Sequence, residues 1–186
     1  MKTYYQNSIT FDAYIKETER RIEVQNPEDD HNEYYELGLQ RMNRTLKTFK
    51  IDEEQLNVLK SKNFNGKILI ISEPWCGDAS ATVPAVSKFF EAASIEVKIF
   101  LKDSDTSLIE QFLTNGTQSI PKILILDENF EVKNVWGPRP KFGNDLLKKF
   151  KENPETYPRE EFYNDLQVYY AKNRGKDAIT ELLELL

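Results

Sequence analysis

The chemistry available to this chain gathers around its single cysteine, Cys76, in the stretch Glu73-Pro74-Trp75-Cys76-Gly77-Asp78-Ala79. An apolar, β-branched run, Ile68 to Ile71, ends just before it, and a helical pattern begins just after it. A thiol at such a junction meets the orphan N–H groups and the positive dipole end of the helix. Both favour thiolate and lower a pKa whose free value is about 8.5. The thiolate is the attacking species in disulfide exchange, so the position activates the residue. Glu73 and Asp78 work the other way, because negative charge near the sulfur raises its pKa.

Other chemistries find little support. His31, the only histidine, lies in an acidic stretch far from Cys76 in sequence, whereas a Cys–His hydrolase needs the two within hydrogen-bond reach. No Cys/His cluster has metal-ligand spacing, so neither a metal nor another cofactor is expected. The acidic pairs Asp29–Asp30 and Glu160–Glu161 read as solvated faces, and no glycine-rich phosphate loop occurs. A formal charge of −6 argues against nucleic acid as a partner. The first residues lack the apolar segment of a signal peptide, and no run approaches the roughly 18 apolar residues of a membrane span. A cytoplasmic protein without membrane contact is expected. One cysteine excludes an internal disulfide.

The elements that must position Cys76 follow from periodicity. A helix is expected after Ser8 or Thr10, with Phe11, Tyr14, Ile15 and Ile22 on one face. Asn26 to Asp30 breaks it. A second helix carries an apolar stripe of Tyr35, Leu39, Met42, Leu46 and Phe49, which needs a covering surface: the rest of the chain or a second copy. Monomer and homodimer both remain open. Asp52 and Gln55 form a capping-box pattern for a third helix. Asn65-Gly66 leads into a strand over Lys67–Ser72, and a helix over about Asp78–Ala93 contains Pro84, which predicts a kink. A strand over Ile95–Leu101, a short helix over Asp105–Leu113, and strands over Pro121–Leu126 and Glu131–Trp136 come next. The rigid Gly137-Pro138-Arg139-Pro140 loop precedes a helix over about 143–152. A helical tail carries Phe162, Leu166, Tyr169 and Tyr170, with Gly175 placed to kink or split it. This order reads as an α/β domain with a central mixed sheet.

With those elements placed, Trp75-Cys76-Gly77 followed by Pro84 resembles the active-site segment of the thioredoxin family. Ser119-Ile120-Pro121 precedes a strand at the spacing where thioredoxins carry a cis-proline, and the hairpin ending in Trp136-Gly137 resembles the family's closing strands. The resemblance covers about residues 50–152. It is nearest to a bacterial thioredoxin-like subgroup with a Trp-Cys-Gly-Asp motif and extra helices at both ends. It implies a thioredoxin-like three-layer α/β/α fold with additional flanking helices. Residues 1–186 would form a single domain, with helical extensions over 1–60 and 155–186. It further implies Cys76 as the catalytic residue and Trp75, Gly77, Ile120 and Pro121 as the substrate-binding surround. Pro121 would follow a cis bond and leave the Ile120 backbone free to pair with an extended peptide. Arg139 joins Glu73 and Asp78 as a candidate modulator of the thiol.

The departures limit the chemistry. Ala79 stands where thioredoxins carry their second cysteine, and Ile70 stands where they carry a buried acid. Exchange through Cys76 would therefore be monothiol, resolved by an outside thiol, with a protein or a low-molecular-weight thiol or disulfide as partner. The other reading is a redox-inactive module that keeps the fold and its peptide groove.

Overall fold

The apolar run before the cysteine forms the central strand β1 (Lys67–Ser72) of a computed structural model that describes residues 1–186. Ile68, Leu69, Ile70 and Ile71 are all fully buried. Alternate side chains of a strand point to opposite faces, so both faces of β1 are covered. Strand β2 (Val97–Leu101) pairs with it in parallel, and β3 (Lys122–Leu126) pairs antiparallel on its other side. Strand β4 (Val132–Trp136) runs antiparallel outside β3, giving the order β2-β1-β3-β4.

The sheet edges are handled differently. At β2, Ile9 and Ile99 exchange backbone hydrogen bonds of 2.9 and 2.8 Å, so the N-terminal segment satisfies part of that edge. At β4 the edge strand is short and carries the exposed Lys133, a charge that discourages further pairing.

Eight helices flank the sheet. A short α1 (Lys2–Gln6), with no counterpart in the sequence-based expectations, is anchored by buried Tyr5. Helix α2 (Phe11–Val24) starts at Thr10, whose hydroxyl accepts the Ala13 N–H. Helix α3 (Asn32–Thr48) packs against α2 and against α5 (Gly77–Ala92), burying Tyr35 and Met42 and partly covering the rest of its apolar stripe. Helix α4 (Glu53–Ser61) is capped by Asp52, which accepts the Glu54 and Gln55 N–H groups. Helix α5 passes through Pro84 without ending and is buried almost all round, as its mixed small and apolar composition requires. Helices α6 (Lys141–Glu152), α7 (Arg159–Asn173) and α8 (Lys176–Leu185) complete the chain. One core of 31 residues joins Tyr5, Tyr14 and Met42 near the start to the strands and to Ile179 and Leu182 in the tail. No helix is long and apolar enough to cross a membrane.

Two expectations need correction. The helix expected over Asp105–Leu113 is replaced by 3₁₀ turns at Lys102–Ser104 and Ile109–Phe112. The Asp105 carboxylate accepts the Ser107 N–H at 2.9 Å as a helix cap would, but the Gln111 N–H then bonds three residues back, to the Leu108 carbonyl, so the segment closes as 3₁₀ rather than α. The helix expected from about residue 143 begins at Lys141, directly after Pro140. In the tail, Gly175 splits the helix outright. Its φ of 84° lies in the left-handed region, and a Cβ there would collide with the Ala85 Cβ.

Candidate functional site

Cys76 is the residue immediately before α5, at the end of the loop that leaves β1. Burial of the preceding strand fixes the loop's origin, and the Cys76 N–H closes it by donating to the Glu73 carbonyl at 3.1 Å. The thiol is 8% exposed and donates to the Ile120 carbonyl at 3.4 Å. The Ile120–Pro121 peptide bond is cis, as is Gly137–Pro138. Burial pushes the Cys76 thiol up to about 12, and the Asp78 charge adds to the rise. The Ala79 and Asp78 N–H groups and the Arg139 guanidinium oppose it without prevailing. At neutral pH the sulfur is a protonated hydrogen-bond donor.

Asp78 is held by two partners from distant parts of the chain. Arg139 Nη2 lies 2.7 Å from Asp78 Oδ2, and the Tyr170 hydroxyl donates to Asp78 Oδ1 at 2.7 Å. Burial raises the Asp78 carboxyl above its ordinary value, with Arg139 and Tyr170 holding the rise back. Desolvation works against the Arg139 charge, and the adjoining Asp78 carboxylate overrides it, so the arginine is the firmly charged member of the pair. Both side chains are largely enclosed, at 18% and 9% exposure.

Glu73 is fully buried but is engaged elsewhere. It accepts from Arg21 Nη1 at 2.8 Å and from the Asp103 N–H at 2.7 Å. Ile70 is fully buried in β1, and Ala79 is buried in the first turn of α5. Neither an acid nor a second thiol occupies those places.

The thiol lies in a cleft of about 820 Å³, also lined by Trp75, Gly77, Asp78, Ile120 and Arg139. Pro121 is buried behind this lining. The Ile120 N–H makes no hydrogen bond within the chain. The walls come from helices outside the sheet's own connections: α3 contributes Tyr34, Gly38 and Arg41, and α7 contributes Tyr163 and Gln167. Helix α3 can approach because residue 38 is glycine; a Cβ there would stand 2.6 Å from the Pro74 carbonyl oxygen.

Trp75 forms the rim and is fixed by a closed ring of contacts. His31 stacks on the indole with centroids 4.3 Å apart, and the indole N–H donates to Asp103 at 2.9 Å. His31 Nδ1 and the Tyr35 hydroxyl both meet the Asp29 carboxylate, at 3.2 and 2.7 Å. Tyr35 accepts from Arg21 at 3.1 Å, and Arg21 returns the ring to Glu73.

His31, Tyr34, Arg41, Gln167 and Tyr170 were therefore missed by reasoning from sequence. His31, Tyr34, Gly38 and Arg41 do recur three, four and three residues apart, a second stripe on the α3 face. Nothing in that spacing says that the stripe faces the thiol.

No curated protein sequence matches the chain. Among solved structures, a Pseudomonas aeruginosa protein of unknown function is 16% identical with a TM-score of 0.63, covering 98% of this chain and 93% of that one. An HIV epitope-scaffold protein is also 16% identical, with a TM-score of 0.67 and coverage of 99% and 95%. At that identity the likeness concerns the fold alone. A family model described as thioredoxin matches residues 24–151, which span the strand, the cysteine motif and the closing hairpin. The chain belongs to the thioredoxin-like family.

Proposed function

We propose that the cleft over Cys76 is a recognition site for an extended peptide, with Trp75, Gly77 and Ile120 as contact surface and Pro121 as its backing. One observation carries this reading: helices α3 and α7 wall in the motif, and the cleft they form is lined by both the protonated thiol and Ile120, whose N–H has no partner within the chain. An unpaired backbone donor beside an aromatic rim suits the edge-on pairing of a peptide strand. With the thiol pushed up to about 12, the protonated form dominates at neutral pH, which works against rapid attack on a disulfide.

The second reading is monothiol exchange, supported by the Asp78 and Ala79 N–H groups and Arg139, which all favour charge on the sulfur. In that reaction a Cys76 thiolate attacks one sulfur of a partner disulfide, whose S–S bond breaks as the departing sulfur leaves as thiolate and takes up a proton. A second, external thiol then attacks the mixed disulfide, releasing Cys76 as thiolate.

Selection of a cysteine-free random decapeptide library on the immobilised protein, alongside reduction of a glutathionylated peptide, separates the two. Recognition predicts enriched peptides that still bind Cys76→Ser and quench or shift Trp75 emission, with no Cys76-dependent reduction. Absence of enrichment together with turnover lost in Cys76→Ser would establish exchange instead.

A further inference from the structure

The guanidinium of Arg41 stands out from the other enclosed arginines. Arg21 meets Glu17 and Glu73, and Arg139 meets Asp78. Arg41, half-buried on α3 and lining the cleft, has neither a hydrogen bond nor an ion pair within the chain. Burial and the neighbouring Arg44 both work against its charge, and the only opposing influence is Asp78 at a distance, already engaged by Arg139 and Tyr170. An enclosed cation without a contact partner is costly unless something completes it.

The surroundings favour an anion arriving from outside. The cleft lining carries Arg41, Arg139 and Arg159 against Asp78 and Glu160, a positive island in a chain of net charge −6. Arg159 donates only to the Tyr163 hydroxyl, at 3.2 Å, and its place at the cleft adds to the field. The guanidinium reaches the motif itself: a Cβ on Gly77 would lie 3.4 Å from Arg41 Nη1, and both residues line the cleft. A planar fork of this kind matches a carboxylate through two parallel hydrogen bonds.

We propose that Arg41 receives a side-chain carboxylate of the bound peptide, so that the ligand class of this cleft is an extended acidic segment. This rests on the reading of the cleft as a peptide site.

The test uses the same cysteine-free library on wild-type protein and on Arg41→Gln, with C-terminally amidated synthetic peptides made from the enriched sequences. Wild type is expected to enrich Asp or Glu at one position, and Arg41→Gln is expected to keep the other preferences while losing that one. Glu→Gln in the peptide should weaken binding to wild type about tenfold, equivalent to about 1.4 kcal/mol. The same change should cost little on Arg41→Gln, so the two losses are not additive. Enriched peptides without an acidic position, or equal binding of the Glu and Gln peptides to wild type, would overturn the role of Arg41 while leaving the peptide site standing. No enrichment on wild type would overturn both. The Glu→Gln comparison on wild type decides the matter even if Arg41→Gln fails to fold.

Discussion

The sulfur of Cys76 sits between opposing influences: burial raises its pKa most, and one carboxylate and one guanidinium act on it in opposite directions. Asp78 raises the thiol pKa and Arg139 lowers it. Asp78→Asn removes the first and leaves the second, so the thiol should titrate at lower pH, nearer its ordinary range. Arg139→Ala should move it further up. The pH profile of thiolate absorbance checks both signs. The Asp78→Asn protein should also lose about 1–3 kcal/mol of stability, because Arg139 keeps a neutral acceptor in place of its carboxylate. An unchanged thiol pKa in both variants would remove Asp78 and Arg139 from any role in tuning the sulfur.

Helix α3 is one of the two helical walls that enclose the motif. Its close approach depends on Gly38, whose absent side chain admits the Pro74 carbonyl. Gly38→Ala should push α3 away from the motif loop and lower stability by roughly 1–3 kcal/mol, the usual cost of overpacking against backbone. The His31–Trp75 stack spans the same gap, so Trp75 emission should change with it. Normal emission and normal stability would show that α3 does not set the cleft width.

Much of this element-level picture was legible beforehand. Strand β1 was readable to the residue, because a continuous apolar run lies between a turn signal at Asn65-Gly66 and the helix-breaking Pro74. The Asp105 segment was not, because its apolar spacing looks helical while its turns close three residues back, as 3₁₀ rather than α. The thiol and its neighbours Trp75, Gly77 and Ile120 could be named from the motif. Its walls could not, since Arg41 and Gln167 reach it only through packing of helices more than thirty residues away in sequence.

For the molecule as a whole, the ends of the chain are joined through the cysteine motif. Tyr170 in the tail binds Asp78, while Arg21 and Asp29 near the start brace Glu73 and the His31–Trp75 stack. Gly175 makes the tail's path possible by turning α7 into α8 against Ala85 on the motif helix. Gly175→Ala meets both a left-handed φ and that collision, so a loss of about 2–5 kcal/mol is expected. For a chain of this size this corresponds to a fall in Tm of roughly 5–15 °C. Adding Ala85→Gly should recover only part of the loss, because the backbone strain stays. Full recovery would assign the whole effect to the side-chain overlap.

The state of the thiol in the folded protein is the most direct test of recognition against exchange. Alkylation of Cys76 by iodoacetamide reads the thiolate, and its rate as a function of pH reads the pKa. A thiol held near 12 predicts a rate that climbs about tenfold per pH unit through pH 9 without levelling, and at pH 8 stays about 10³-fold below that of the denatured chain. A rate that levels off with a midpoint below about 8.5, the free thiol value, would show an activated nucleophile and contradict a cleft built for recognition alone.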